Sequence, residues 1–123
     1  MTKIDTTTIR AAWDAAVAAY HAALAADAQG DGVDDDLDTA LFTAVCAAYR
    51  KVIHTQSPDM AAHAFKLGLM VESHATDEGE RYSLDFLKRT LAKDALDGGA
   101  ALVRAWQDAL RLAGIDHEVL TLG

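Results

Sequence analysis

The order of apolar and polar positions near the start of the chain predicts a long helix. Four large apolar side chains recur at spacings of four, three and four residues, which places them on one helix face. They are Trp13, Val17, Tyr20 and Leu24. We expect this helix to begin after a capping residue within 5–8, to run to about Ala28, and to stop at Gly30.

A second helix is predicted from Asp34 or Asp35 to about His54. It carries two apolar stripes instead of one. The first contains Leu37, Leu41, Ala44, Ala48 and Val52, and the second contains Phe42, Cys46, Tyr49 and Ile53. A face this wide suggests contact with more than one neighbouring helix, so we expect this helix at the centre of the fold.

The third predicted helix has the clearest start signal. Ser57 is a suitable capping residue, Pro58 suits the first turn, and Asp59 complements the positive end of a helix. One apolar row follows, with a second row beside it. The rows are Met60, Ala64, Leu67 and Val71, and Ala61, Phe65 and Leu69.

Two more helices and an apolar tail complete the prediction. The fourth helix spans about 83–96, with Leu84, Leu87 and Leu91 inward. The fifth spans about 100–113 and ends at Gly114. Its buried residues are expected to be Leu102, Val103, Trp106, Ala109 and Leu110. The tail after Gly114 carries Ile115, Val119, Leu120 and Leu122, and this apolar content predicts that it packs instead of extending into solvent.

Composition supports an all-α fold. The chain of 123 residues contains one proline, and alanine, the strongest helix former, makes up about a fifth of it. Short connections between the predicted helices imply antiparallel neighbours. We therefore predict a compact antiparallel bundle of four to five helices, with 1–123 as a single domain.

Charge narrows the possible partners. The formal net charge of −8 disfavours a nucleic-acid backbone and favours a basic protein surface or a metal cation. The single cysteine, Cys46, lies in an apolar helical run, as a core residue would. A basic, apolar leader and a membrane-length apolar run are both missing from the sequence. We expect a cytoplasmic, bacterial-type protein that binds neither nucleic acid nor membrane.

The stretch DAQGDGVDDDLD, over 27–38, contains six aspartates in twelve residues. It resembles the loop of an EF-hand, which supplies calcium with oxygens from places one, three, five, seven, nine and twelve. In that register the ligands are Asp27, Gln29, Asp31, Val33 through its carbonyl, Asp35 and Asp38. The flanking helices give the helix–loop–helix order that the resemblance implies.

The same stretch departs from the EF-hand pattern in three ways. Asp38 stands where a longer glutamate is usual, Asp34 stands where a branched apolar residue is usual, and no second loop exists to pair with it. A connector explains the same residues more simply: Gly30 and Gly32 allow a turn, and the aspartates that follow favour the start of a helix.

The segment HAFKLG, over 63–68, resembles the phosphoacceptor segment of histidine phosphotransfer domains, which are four-helix bundles. That resemblance implies His63 as the phosphoacceptor and Lys66, one turn later, as the residue that steadies the phosphoryl charge. In those domains a glycine directly follows the lysine, whereas here Leu67 intervenes and Gly68 comes one place late. The alternative is a solvent-facing His63 that interacts with Asp59.

A fainter resemblance covers the first three predicted helices. A Trp-Asp pair in the first helix and a Pro-led helix carrying Lys-Leu are similar to small uncharacterised bacterial proteins, some linked to prophages. The residues are Trp13, Asp14, Pro58, Lys66 and Leu67. The resemblance implies no known activity and favours a non-enzymatic protein.

Other patterns predict no chemistry. His63 and His74 lie about 16 Å apart along one helix axis, too far to share a metal. His21, His54 and His117 are isolated in sequence, and the basic residues near Lys88 and Arg89 alternate with acidic ones. We predict no catalytic residue, metal or cofactor, and a protein that acts by binding another protein or a second copy of itself. Phosphotransfer through His63 is the main alternative, and weak calcium binding is a further one.

Overall fold

The computed structural model describes residues 6–30, 32, 34–73, 83–92 and 99–122. This part of the chain contains five α-helices, one 3-10 helix and no strand. They are α1 (Thr6–Ala28), α2 (Asp35–His54), α3 (Met60–Glu72), α4 (Leu84–Ala92), α5 (Gly99–Ala113) and the 3-10 helix Glu118–Leu122, called the tail helix below. The predicted all-α class is therefore confirmed.

The chain divides into two compact units, Met1–Pro58 and Asp59–Gly123. The first unit contains α1 and α2, which pack against each other. The second contains α3, α4, α5 and the tail helix, with α5 packed against both α3 and α4. The single domain over 1–123 stays a prediction, and each unit is described separately here.

In the first unit, α1 and α2 form an antiparallel hairpin because their connection is only six residues long. The rings of Tyr20 and Tyr49 meet edge to face, with centroids 6.4 Å apart. Trp13 and Val52 are buried. Phe42 is 61% exposed, which differs from the expectation of a central α2. Within its unit α2 packs against α1. One of its two apolar stripes is enough to form that contact, so side chains of the other stripe can stay exposed.

The connection between α1 and α2 uses its glycines differently from the prediction. Gly32, and not Gly30, adopts positive φ, at +70°. Gly30 lies close to both ends of the connection: a β-carbon there would be 2.7 Å from Oδ1 of Asp38 and 3.1 Å from the carbonyl oxygen of Asp27. The side chain of Asp34 accepts a hydrogen bond from the backbone N–H of Leu37 and caps α2, so the predicted start of α2 is correct.

The start of α3 corrects the predicted cap. Asp59, and not Ser57, is the N-cap: its carboxylate accepts a hydrogen bond of 2.8 Å from the backbone N–H of Ala62. The hydroxyl oxygen of Ser57 is buried without a hydrogen-bond partner. The sequence offers two good capping residues two positions apart, and the charged carboxylate is the stronger acceptor at a positive helix end.

The second unit has a continuous apolar core. α3 contributes Ala64, Leu67 and Val71, α4 contributes Phe86 and Leu87, α5 contributes Val103, Trp106, Ala109 and Leu110, and the tail helix contributes Val119. Val119 is fully buried. The prediction that the tail packs is therefore correct. Of the fourth predicted helix, the part over 93–96 lies outside the described residues.

Candidate functional site

A cleft of about 320 Å³ lies between α3 and α5 in the second unit. It is lined by Ala61, Ala64, Phe65, Gly68, Leu69, Glu72, Trp106, Leu110, Ile115 and His117. Eight of these ten residues are apolar or glycine, so the lining is suited to an apolar group. The volume is at the small end of the range for ligand sites, which fits one or two side chains or a small amphiphile.

The floor of the cleft is formed where Trp106 meets Gly68. A β-carbon at Gly68 would lie 3.1 Å from Nε1 and 3.3 Å from Cε2 of Trp106, closer than side chains normally pack. Both residues are buried. Glycine in the middle of α3 thus lets the indole lie against the helix backbone without displacement. The small side chains of Ala61 and Ala64 leave space along the same face of α3.

One end of the cleft is shaped by the C-terminus of α5. Gly114 has a φ of +70°, and its N–H donates to the carbonyl of Arg111. The N–H of Ile115 donates to the carbonyl of Leu110 at 2.9 Å. These two bonds define a Schellman motif, in which the residue after the glycine folds back onto the last helical turn. The motif therefore turns Ile115 back to the end of α5, where it lines the cleft with Leu110.

The chain then continues from Ile115 to His117, which caps the tail helix. The imidazole Nδ1 of His117 accepts a hydrogen bond of 3.0 Å from the backbone N–H of Val119. The ring of His117 also meets the indole of Trp106 edge to face, with centroids 4.6 Å apart. His117 consequently links the wall of the cleft to the tail helix.

The position of the tail helix is fixed by a buried glutamine. Gln107 is fully buried, and its Nε2 donates a hydrogen bond of 2.8 Å to the carbonyl of Val119. Its Oε1 accepts one of 2.9 Å from Nη1 of Arg104. The sequence prediction missed Gln107. Its spacing of four from Val103 and three from Leu110 is the signal that could have found it.

The electrostatics of the cleft are dominated by Glu72. Among the described residues that line the cleft it is the only carboxylate, and it is the last residue of α3. The C-terminus of a helix carries a partial negative charge, and the last turn of α3 contains no basic residue. His117 is the other ionisable residue among the described lining residues.

The predicted phosphoacceptor pair lies on α3. His63 is exposed, and its backbone N–H donates to the carbonyl of Asp59. Lys66 is half-buried, and desolvation lowers the pKa of its ammonium group below the ordinary value. Neither residue lines the cleft. Gly68 is buried against Trp106 and therefore serves packing within the unit.

The predicted calcium loop is described only in part, because Asp31 and Val33 lie outside the described residues. Among the described residues, no group of three histidine, cysteine, aspartate or glutamate side chains could hold a metal ion. Calcium binding through Asp27, Gln29, Asp35 and Asp38 with the two undescribed positions stays a prediction. Cys46 is half-buried and forms no disulfide.

Comparisons with known proteins identify no relative. Neither a family model, nor a curated protein, nor a solved structure matches the chain. In the described part of the chain, no helix is long and apolar enough to cross a membrane. The functional argument therefore depends on the cleft and on the residues that form it.

Proposed function

We propose that this chain is a non-enzymatic binding protein, and that the cleft between α3 and α5 receives an apolar side chain or stem from a partner protein. The observation that carries the proposal is the open space beside Trp106. The surrounding core is closely packed, since Val103 and Val119 are at most 1% exposed. Interiors normally leave few voids, and an apolar cleft that opens to the surface is the usual form of a binding site.

The partner is a protein with a basic surface, because the chain carries a net charge of −8. We retain the expectation of a cytoplasmic, bacterial protein. A second copy of the chain is the alternative partner. Light scattering over a concentration series tests self-association, and a homodimer that dissociates when the cleft is filled by mutation would identify the partner as a second copy.

A single substitution at the rim tests whether the cleft binds. Ala61 is exposed and lines the cleft, so the Ala61→Leu side chain fills it without entering the core. Ala105 is exposed on α5 and does not line the cleft, which makes Ala105→Leu the matched control. The wild type and both variants are crosslinked to their partners under the same conditions. A partner of the cleft is a protein that is crosslinked to the wild type and to Ala105→Leu but not to Ala61→Leu. Identical crosslinking by all three chains would contradict the proposal.

Phosphotransfer through His63 is the second candidate function, and the exposure of His63 on α3 supports it. A ring nitrogen of His63 would attack the phosphorus of acetyl phosphate. The bond between phosphorus and the acetyl oxygen would break, acetate would leave with the electron pair, and the ring proton would pass to solvent. Labelling by acetyl phosphate that disappears in His63→Gln supports this function, whereas unchanged labelling in that variant eliminates it.

A further inference from the structure

We infer that the outer face of α2 binds a second copy of the chain, with the two α2 helices antiparallel and Phe42 beside the two-fold axis between them. This contact lies in the first unit, and it does not depend on the cleft between α3 and α5. Three properties of the α1–α2 hairpin support it: its exposed apolar residues, its small core and the order of the charges along α2.

One apolar stripe of α2 is only partly covered by α1. In the first stripe Val52 is fully buried. In the second stripe Phe42 is 61% exposed, which is the largest value among the described large apolar residues of the first unit. Cys46 and Ile53 of the same stripe are half-buried. A contiguous apolar face of this kind is typical of an interaction surface, whereas single exposed apolar residues are ordinary.

The hairpin has a small core of its own. Its buried apolar residues, among those described, are Trp13, Ala16 and Val52, whereas the second unit has a continuous core from α3 to the tail helix. Helices in proteins derive most of their stability from the packing of an apolar face. Two hairpins that pair through the outer faces of α2 place four helices together, as in a helical bundle. A second copy would therefore give the first unit the apolar burial that α1 alone does not provide.

The charges of α2 favour a second copy because they are complementary to themselves. The first turn of the helix is acidic and its last residues include the basic ones; these are Asp35, Asp36 and Asp38, and Arg50, Lys51 and His54. When two such helices pair antiparallel about a two-fold axis, the acidic end of each meets the basic end of the other. A parallel pair would bring like charges together. Although the chain has a net charge of −8, α2 itself is close to neutral.

Two exposed charges place Phe42 beside the axis. Asp36 and Arg50 are exposed and lie fourteen residues apart, close to four helical turns, so they project from the same side of α2. Phe42 borders that side, about 80° from Arg50 around the helix. Asp36 is about 9 Å before Phe42 along the helix and Arg50 about 12 Å after it. An axis beside Phe42 therefore brings Asp36 of each copy close to Arg50 of the other, with the two phenylalanines at the centre of the interface.

Sedimentation equilibrium of the full chain over a concentration series tests the contact. We expect a reversible equilibrium between monomer and dimer in the wild type. Phe42→Asp removes the central aromatic side chain and should raise the Kd of the dimer at least about tenfold. Leu112 is 74% exposed on α5, so Leu112→Asp makes the matched change outside the first unit and should leave the Kd unchanged. Circular dichroism checks that each variant keeps the helix content of the wild type.

Charge reversal tests the antiparallel orientation. Asp36→Arg and Arg50→Asp each replace two attractive contacts in the dimer by two repulsive ones, and each should raise the Kd about three- to tenfold. The chain with both substitutions again has opposite charges at both contacts and should dimerise like the wild type. Asp108→Arg on α5 changes the net charge as Asp36→Arg does and is the control. In a parallel pair each residue would face its own copy, so all these chains would dimerise equally.

The results separate the α2 contact from the cleft. A wild type that stays monomeric at every concentration overturns the inference, as does a dimer that Phe42→Asp weakens no more than Leu112→Asp does. A dimer that dissociates in Ala61→Leu but not in Phe42→Asp would place self-association at the cleft, which overturns the inference and supports the proposed function. Equal dimerisation of the charge-reversal variants would overturn the antiparallel orientation.

Discussion

The indole of Trp106 lies against the bare backbone of Gly68, so that a β-carbon at Gly68 would be 3.1 Å from Nε1 of Trp106. This contact allows α3 and α5 to pack closely and forms the floor of the cleft. The glycine has a cost in the middle of a helix, about 1 kcal/mol relative to alanine. Burial of the large aromatic surface of Trp106 offsets this cost in helix stability.

Substitution of Gly68 should therefore separate helix propensity from packing. In Gly68→Ala, the gain in helix propensity offsets the crowding of the indole, and we expect the free energy of unfolding to stay within about 1 kcal/mol of the wild type. Gly68→Val should lose roughly 1–3 kcal/mol by overpacking. Denaturant unfolding measures both values. The indole resonance of Trp106 should shift in both variants while that of Trp13, in the other unit, stays unchanged. A Gly68→Val chain as stable as the wild type would contradict the contact.

The ends of most helices could be predicted from the sequence because the signals are local. Asp34 precedes α2 and caps it, and Gly114 follows α5 and ends it. The predicted cap of α3 is wrong because Ser57 and Asp59 are both good capping residues. The choice depends on which side-chain oxygen lies within hydrogen-bond distance of the N–H groups of the first turn, and that oxygen belongs to Asp59. The two stripes of α2 led to an overestimate of its burial, since a pattern reports apolar side chains and not the number of helices available to cover them.

The cleft could not be predicted, because it depends on pairs of residues far apart in the sequence. In the sequence Gly68 is only a departure from the phosphotransfer pattern, one place late, and its contact with Trp106 becomes evident only when α3 and α5 are placed together. His117 looked isolated for the same reason: its neighbour Trp106 is on another helix. Periodicity identifies which face of a helix is buried, but not which face of another helix it meets.

The Schellman motif at the end of α5 should require Gly114. At a φ of +70° an L side chain is strained by about 1–2 kcal/mol, so Gly114→Ala should lower the melting temperature by about 3–12 °C. Gly114→Asn should lose less, because asparagine tolerates this conformation better. Thermal unfolding followed by circular dichroism compares the two. An alanine variant that melts with or above the asparagine variant would show that the turn is not held in this conformation.

Replacement of Asp59 and of Ser57 by alanine should change the free energy of unfolding differently. Asp59→Ala removes the acceptor for the N–H of Ala62 and should cost about 1 kcal/mol. Ser57→Ala removes a buried hydroxyl that has no hydrogen-bond partner, so stability should be unchanged or slightly increased. Urea unfolding of both variants provides the measurement. A larger loss in Ser57→Ala than in Asp59→Ala would restore Ser57 as the cap.

Calcium should have little effect on the chain. The carboxylate of Asp34 is engaged in capping α2, and Asp38 approaches the backbone of Gly30. We expect no heat in calorimetry and no change in melting temperature at millimolar calcium and low salt, with magnesium as the control. Saturable heat at one ion per chain, together with a higher melting temperature, would instead establish the calcium loop. Asp27→Asn should then abolish both effects, since Asp27 is the first ligand of that loop.

The buried Gln107 should be the residue on which attachment of the tail helix depends most. Gln107→Leu leaves the carbonyl of Val119 without its donor, and we expect a loss of about 1–3 kcal/mol. Gln107→Glu should also be destabilising at neutral pH, because its carboxylate would face that carbonyl as a second acceptor. On acidification the glutamic acid gains a proton and can donate again, so the loss in Gln107→Glu should decrease as the pH falls, whereas the loss in Gln107→Leu should not. Unfolding free energies of the wild type and both variants, measured at several pH values, test this difference. If the two variants respond to pH in parallel, the hydrogen bond to Val119 is not what attaches the tail helix.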